Sequence, residues 1–131
     1  MPPVITALYG ALNALFNVFL ANNVSTLRRR NKVSLGDHPA IAVAIRAHGN
    51  NSESVPLALI VMLLAELCGG HPAVLHVYGG LLFIARIAHW IGLPRKAPNV
   101  YRATGIGLTW VAIAGGSCYV LYLRFALTGA I

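Results

Sequence analysis

Four long apolar blocks joined by short polar connections restrict this chain to a helical bundle in a membrane. The blocks run from about Val4 to Val24, Pro39 to Cys68, Pro72 to Leu93 and Ala103 to Thr128. A helix needs about 20 residues to cross the hydrocarbon of a bilayer, and each block is long enough. Helices are the expected form, because an isolated strand would leave its backbone polar groups unpaired in lipid. Only 10% of the residues are charged and 57% are hydrophobic. A soluble domain usually carries roughly 25% charged residues, so this chain has too few to cover a globular surface. The fold class expected is all-α, an integral membrane four-helix bundle, with residues 1–131 as one domain. The second block exceeds one crossing, so its first turns project past the hydrocarbon or tilt.

Charge sets an expected orientation. Ten Lys and Arg residues oppose three Asp and Glu, for a net charge of +7. Arg28, Arg29, Arg30 and Lys32 lie between spans one and two, and Arg95, Lys96 and Arg102 between spans three and four. The connection Gly69-Gly70-His71 has neither Lys nor Arg. Loops rich in Lys and Arg stay on the cytoplasmic side, so both basic loops are expected inside and both termini outside. Arg124, near the outer end of span four, can snorkel to the headgroups. Nucleic acid is not an expected partner, because the basic residues sit between apolar blocks without a nucleic-acid motif. No basic segment precedes the first apolar block, which therefore reads as a retained span and not a cleaved signal. Cys68 and Cys118 form no metal-binding pattern, and no metal site is expected.

The segment Arg46-Ala47-His48-Gly49-Asn50-Asn51-Ser52-Glu53-Ser54-Val55-Pro56 opens the second apolar run. Charged groups inside a membrane span cost on the order of 3 kcal/mol each and mark functional sites by default. A helix turns about 100° per residue, so Asn50 lies about 40° from Arg46 and Glu53 about 20° on its other side. These three side chains form a stripe roughly 10 Å long. His48 lies about 160° away and reads as a structural residue. Pro56 removes one amide donor from the helix and bends it. On span one, Asn13 and Asn17 share a face and are expected to hydrogen-bond between helices. Gly10 with Ala14, and Ala112 with Gly116, have the small-xxx-small spacing that allows close helix approach.

Span three contributes Arg86 and His89, three residues apart on one face. With Arg102 just before span four, they share a membrane half with Arg46. A structural ion pair of Glu53 with Arg46 or Arg86 would explain how the glutamate survives burial. It would leave a surplus of positive charge. Guanidinium groups bind carboxylates or phosphates bidentately, and one carboxylate would suit an amine. A small zwitterion with net negative charge fits this set.

The pattern Arg46-x-x-x-Asn50-x-x-Glu53-x-x-Pro56, with Arg86-x-x-His89 and four spans, resembles the membrane-associated proteins in eicosanoid and glutathione metabolism, the MAPEG family, and most closely its short bacterial branch. The resemblance covers almost the whole chain. It implies a bacterial inner-membrane homotrimer that binds glutathione as co-substrate between subunits, near the cytoplasmic side. It implies that Arg46, Asn50, Glu53, Arg86 and His89 bind glutathione and that Arg102 activates its thiol. The implied activity is a glutathione transferase or peroxidase acting on lipophilic electrophiles. Where some members carry tyrosines, this chain has Leu93 and Ser54, which argues against the eicosanoid activities. The alternatives are a non-catalytic lipid-binding or scaffold protein of the same fold and, with less support, a small transporter.

Overall fold

The computed structural model describes residues 2–129 and contains four helices in chain order, α1 (Val4–Arg30), α2 (Ala42–Leu67), α3 (Pro72–Gly92) and α4 (Val100–Leu127). No strand occurs among the described residues. The protein is an all-α membrane bundle. By length and composition α1, α3 and α4 can each cross a membrane, whereas the first half of α2 carries the polar run from Arg46 to Glu53.

Helix ends depart from the apolar blocks in physically simple ways. α1 continues six residues past Val24, because no Gly or Pro interrupts Ser25 to Arg30. Its last turn carries Arg28, Arg29 and Arg30, and cations are favoured at the negative end of the helix dipole. Lys32 then adopts a left-handed conformation at φ 54° and ends the run. α2 begins at Ala42 and not at Pro39, because the amides of Ile41 and Ala42 both donate to the His38 carbonyl in a preceding turn. α3 starts with Pro72 in its first position, where a proline loses nothing, and His71 Nδ1 accepts from the Ala73 amide at 3.3 Å.

α2 is the central helix. It packs against α1, α3 and α4, whereas α1 and α4 make no contact with each other among the described residues. Its buried seam is Ala44, Ala47, Asn51, Val55, Ala58, Met62 and Ala65. The spacing of three and four residues is the signature of one helix face turned inward. Asn51 is the one polar member of that seam. The helix is unbroken across Pro56. The expected hydrogen bond between helices is made by Asn17, whose Oδ1 accepts from Asn51 Nδ2 at 3.0 Å and Ser52 Oγ at 3.2 Å. Asn13 instead donates to the Tyr9 carbonyl in its own helix at 2.8 Å.

The buried face of α4 is Gly105, Thr109, Ala112 and Gly116. Gly116 does lie at a close contact, since a Cβ there would collide with the Tyr78 ring, and Ala112, one turn earlier, is buried. Gly10 faces open space and Ala14 is exposed, so that pair is not a contact within the chain.

One tertiary cap was missed from the sequence. α1 has no side-chain N-cap of its own. The Glu66 carboxylate, at the far end of α2, accepts from the amides of Ile5 at 2.9 Å and Thr6 at 2.7 Å. It satisfies two of the donors that every helix start leaves unpaired and puts negative charge at the positive dipole end. Glu66→Ala is expected to cost about 1 kcal/mol, the low end for a charged cap because the group is partly solvated. Thermal unfolding in detergent measures this, and an unchanged midpoint would show that the cap contributes nothing.

Candidate functional site

The hairpin α3–α4 places its polar groups by close backbone approach. A Cβ on Gly105 would lie 2.5 Å from the His89 amide nitrogen and 2.7 Å from the Ala85 carbonyl oxygen. A Cβ on Gly92 would meet the backbone of Arg102. Asn99 ties the two ends together: its Oδ1 accepts from the Arg102 amide at 2.9 Å as the cap of α4, and its Nδ2 donates to the Gly92 carbonyl at 3.0 Å. His89 and Arg102 are therefore held beside one another by backbone geometry.

The start of α2 faces this corner. A cleft of about 280 Å³ forms there, and its polar lining is Arg46, Asn50, His89 and Arg102. Ala42, Val43, Leu93 and Ile106 complete it with apolar surface. Arg46 and Arg102 line the cleft and are exposed. His89 is only 3% exposed, and its Nδ1 is buried without a hydrogen-bond partner. Thr6 Oγ1 and Asn13 Oδ1, which lie outside the cleft, are buried in the same state. No carboxylate lines the cleft, whose charge is positive from two guanidinium groups.

Arg86 lies behind the cleft and not in its lining. It is 2% exposed. Its Nε donates to Asn51 Oδ1 at 3.1 Å, its Nη1 to Thr109 Oγ1 at 3.2 Å and its Nη2 to Asn50 Oδ1 at 2.7 Å. The Thr109 hydroxyl in turn donates to the Gly105 carbonyl at 2.7 Å. A buried cation is tolerable only when its donors are satisfied. Here neutral oxygens from α2 and α4 do this, in place of the carboxylate pair that the sequence allowed. Arg86 thereby fixes the Asn50 amide at the cleft wall. Its contact with the cleft runs through Asn50.

Glu53 is exposed one turn beyond Asn50 and does not line the cleft. The structure thus gathers Arg46, Asn50, His89 and Arg102, sets Arg86 beneath them, and leaves Glu53 on the open flank of α2. His48 is half-buried outside the cleft. Tyr101 is exposed with the Arg95 guanidinium 4.2 Å above its ring.

Asn51 and Thr109 are the partners of Arg86 that sequence reasoning missed. Asn51 is five steps from Arg46, about 140° around the helix, and so falls off the stripe. The signal that could have found it is its place in the apolar seam of α2, where a lone amide needs a polar partner.

A family model described as the MAPEG family matches residues 6–122 of the chain. Two curated proteins, each called inner membrane protein YecN, are similar to it. They come from Escherichia coli (strain K12) and Escherichia coli O6:H1 (strain CFT073). Each is 32% identical over 112 residues, which cover 84% of this chain and 85% of the relative.

Proposed function

The chain belongs to the MAPEG family, and from this we propose that its cleft binds glutathione and that the protein is a glutathione transferase or peroxidase of a bacterial inner membrane. The observation that carries the reading is the convergence of Arg46, Asn50, His89 and Arg102 on one open cleft. Two guanidinium groups suit the two carboxylates of the tripeptide. Asn50 and His89 offer hydrogen bonds to its backbone.

Glu53, exposed beside the cleft, is assigned to the ligand amine. Arg46 and Glu53 both stand on an open surface, which a neighbouring subunit would cover in a homotrimer. Both basic loops lie at the cleft end of the bundle, and the proposed orientation puts that end in the cytoplasm with both termini outside.

Arg102 is assigned to the sulfur. A nearby cation favours the thiolate, which is the nucleophile. The thiolate attacks a lipophilic electrophile, a carbon–sulfur bond forms, and the leaving group departs with the displaced electron pair. In the peroxidase reaction two glutathione molecules supply two electrons. A lipid hydroperoxide becomes an alcohol and water, and glutathione disulfide is the other product. Leu93 in the cleft lining is the observation that favours the second reading, a non-catalytic lipid-binding or scaffold protein, because some family enzymes carry tyrosine there.

Calorimetry with the purified protein in detergent, followed by conjugation of a generic aromatic electrophile, tests both readings. Saturable binding with turnover is expected. No binding at millimolar glutathione would overturn the proposal, and binding without turnover would favour the scaffold reading. Arg46→Ala and Glu53→Ala are each expected to weaken glutathione binding about tenfold, the loss of one charged contact. Unchanged affinity in both would make the stripe structural.

A further inference from the structure

The α1–α2 connection carries four cations, Arg28, Arg29, Arg30 and Lys32, and one acid, Asp37. The chain doubles back after α1, with the Val33 amide donating to the Arg28 carbonyl at 3.0 Å. This leaves an open groove of about 630 Å³ lined by Asn22, Ser25, Arg28, Arg29, Lys32 and Ser34 among others. The groove is distinct from the cleft of Arg46 and shares no residue with it. Arg28 is partly engaged through its 3.4 Å bond to the Ser34 carbonyl, and no carboxylate lines the groove.

The groove is the polar end of a graded helix face. Leu15, Val18, Asn22, Ser25 and Arg29 follow one another at spacings of three and four along α1 and are all exposed. Leu15 is 70% and Val18 66% exposed. Along one face, then, the surface passes from aliphatic to amide and hydroxyl and then to guanidinium. Asn22 and Arg29 are about 10 Å apart along the axis, against an interfacial layer roughly 5–8 Å thick on each side of a bilayer. A soluble anion would need the cations alone. The aliphatic and uncharged polar steps match an amphiphile.

We propose that this groove binds an anionic phospholipid. Arg28, Arg29 and Lys32 hold the phosphate, Asn22 and Ser25 face the ester region, and the acyl chain lies along Val18 and Leu15. Basic clusters next to a transmembrane helix attract anionic headgroups, and the groove gives that attraction a defined seat.

Native mass spectrometry of the detergent-purified full chain tests this, with phosphatidylglycerol and phosphatidylcholine of identical acyl chains competing at equal concentration. Preferential retention of phosphatidylglycerol is expected, and equal retention would overturn the proposal. The triple variant R28Q/R29Q/K32Q is expected to lose about 100-fold of the preference, since each cation near a charged surface contributes about fivefold.

The variant R30Q/R95Q/K96Q removes the same charge outside the groove and is expected to keep the preference. An equal loss in both triples would reduce the effect to overall charge and overturn the site. If the first triple fails to fold, competition on the unmodified chain decides. Displacement of the lipid by millimolar inorganic phosphate or free glutathione would make the groove a soluble-anion site and overturn the lipid assignment.

Discussion

Asn51→Leu is expected to destabilise the bundle by about 3 kcal/mol, more than any change on its lipid-facing surface. The substitution conserves shape and removes two hydrogen bonds, those from Arg86 Nε and to Asn17 Oδ1. Losing the second costs about 1 kcal/mol. Losing the first leaves a donor of a buried guanidinium unpaired, and an unsatisfied buried donor costs about 1–3 kcal/mol. Arg86 keeps its bonds to Asn50 and Thr109, so this loss stays at about 2 kcal/mol, the middle of the range, and the total at about 3 kcal/mol.

Thermal unfolding in detergent should show a fall on the order of 10 °C for a chain of this size. The same logic predicts that Arg86→Met in the Asn51→Leu background recovers part of the loss, because the unpaired charge is then gone. A double variant less stable than Asn51→Leu alone would mean that the arginine is not the source of the cost. In the single variant Arg86→Met, the Asn50 amide loses its 2.7 Å anchor, and glutathione affinity should fall although the residue does not line the cleft.

Gly105→Val should be the most disruptive change in α4. The new Cβ would sit 2.5 Å from the His89 amide nitrogen and 2.7 Å from the Ala85 carbonyl oxygen. Both are backbone atoms inside α3 and cannot rotate away, so the helices must separate. Overpacking of this kind costs about 1–3 kcal/mol when side chains can adjust and more when they cannot. The Thr109 hydroxyl bonds the Gly105 carbonyl, and Arg102 lies one turn earlier, so the Arg86 network and the cleft should be disturbed together.

Gly107→Ala is the matched comparison. Nothing lies within 4 Å of its added Cβ, and alanine favours a helix over glycine by up to about 1 kcal/mol. It should leave stability unchanged or raise it. Both variants are compared by unfolding midpoint and by yield of monodisperse protein. Equal behaviour of Gly105→Val and Gly107→Ala would show that α3 and α4 do not cross closely at Gly105.

The four-helix membrane bundle was legible because the bilayer imposes a length and a polarity that composition reveals without any fold, and α1, α3 and α4 meet both. The candidate site was legible as far as residue identity. Arg46, Asn50, His89 and Arg102 were marked by their cost in a membrane span and by family resemblance, and they meet in one cleft. Arg86 carried the same mark, yet its place behind the wall was not readable. Periodicity says which residues share a face of their own helix. It does not say which face of the neighbouring helix they meet.

The sequence by itself determined a four-helix membrane protein of the MAPEG family with a cationic polar cluster at one end, because hydropathy, charge and helical period are local properties. Only the tertiary structure decided that Asn50, Asn51 and Thr109 satisfy Arg86, that Glu66 caps α1, and that glycine lets α3 and α4 approach closely enough to set His89 beside Arg102. Each of these depends on the register between helices, which is set by packing of distant side chains.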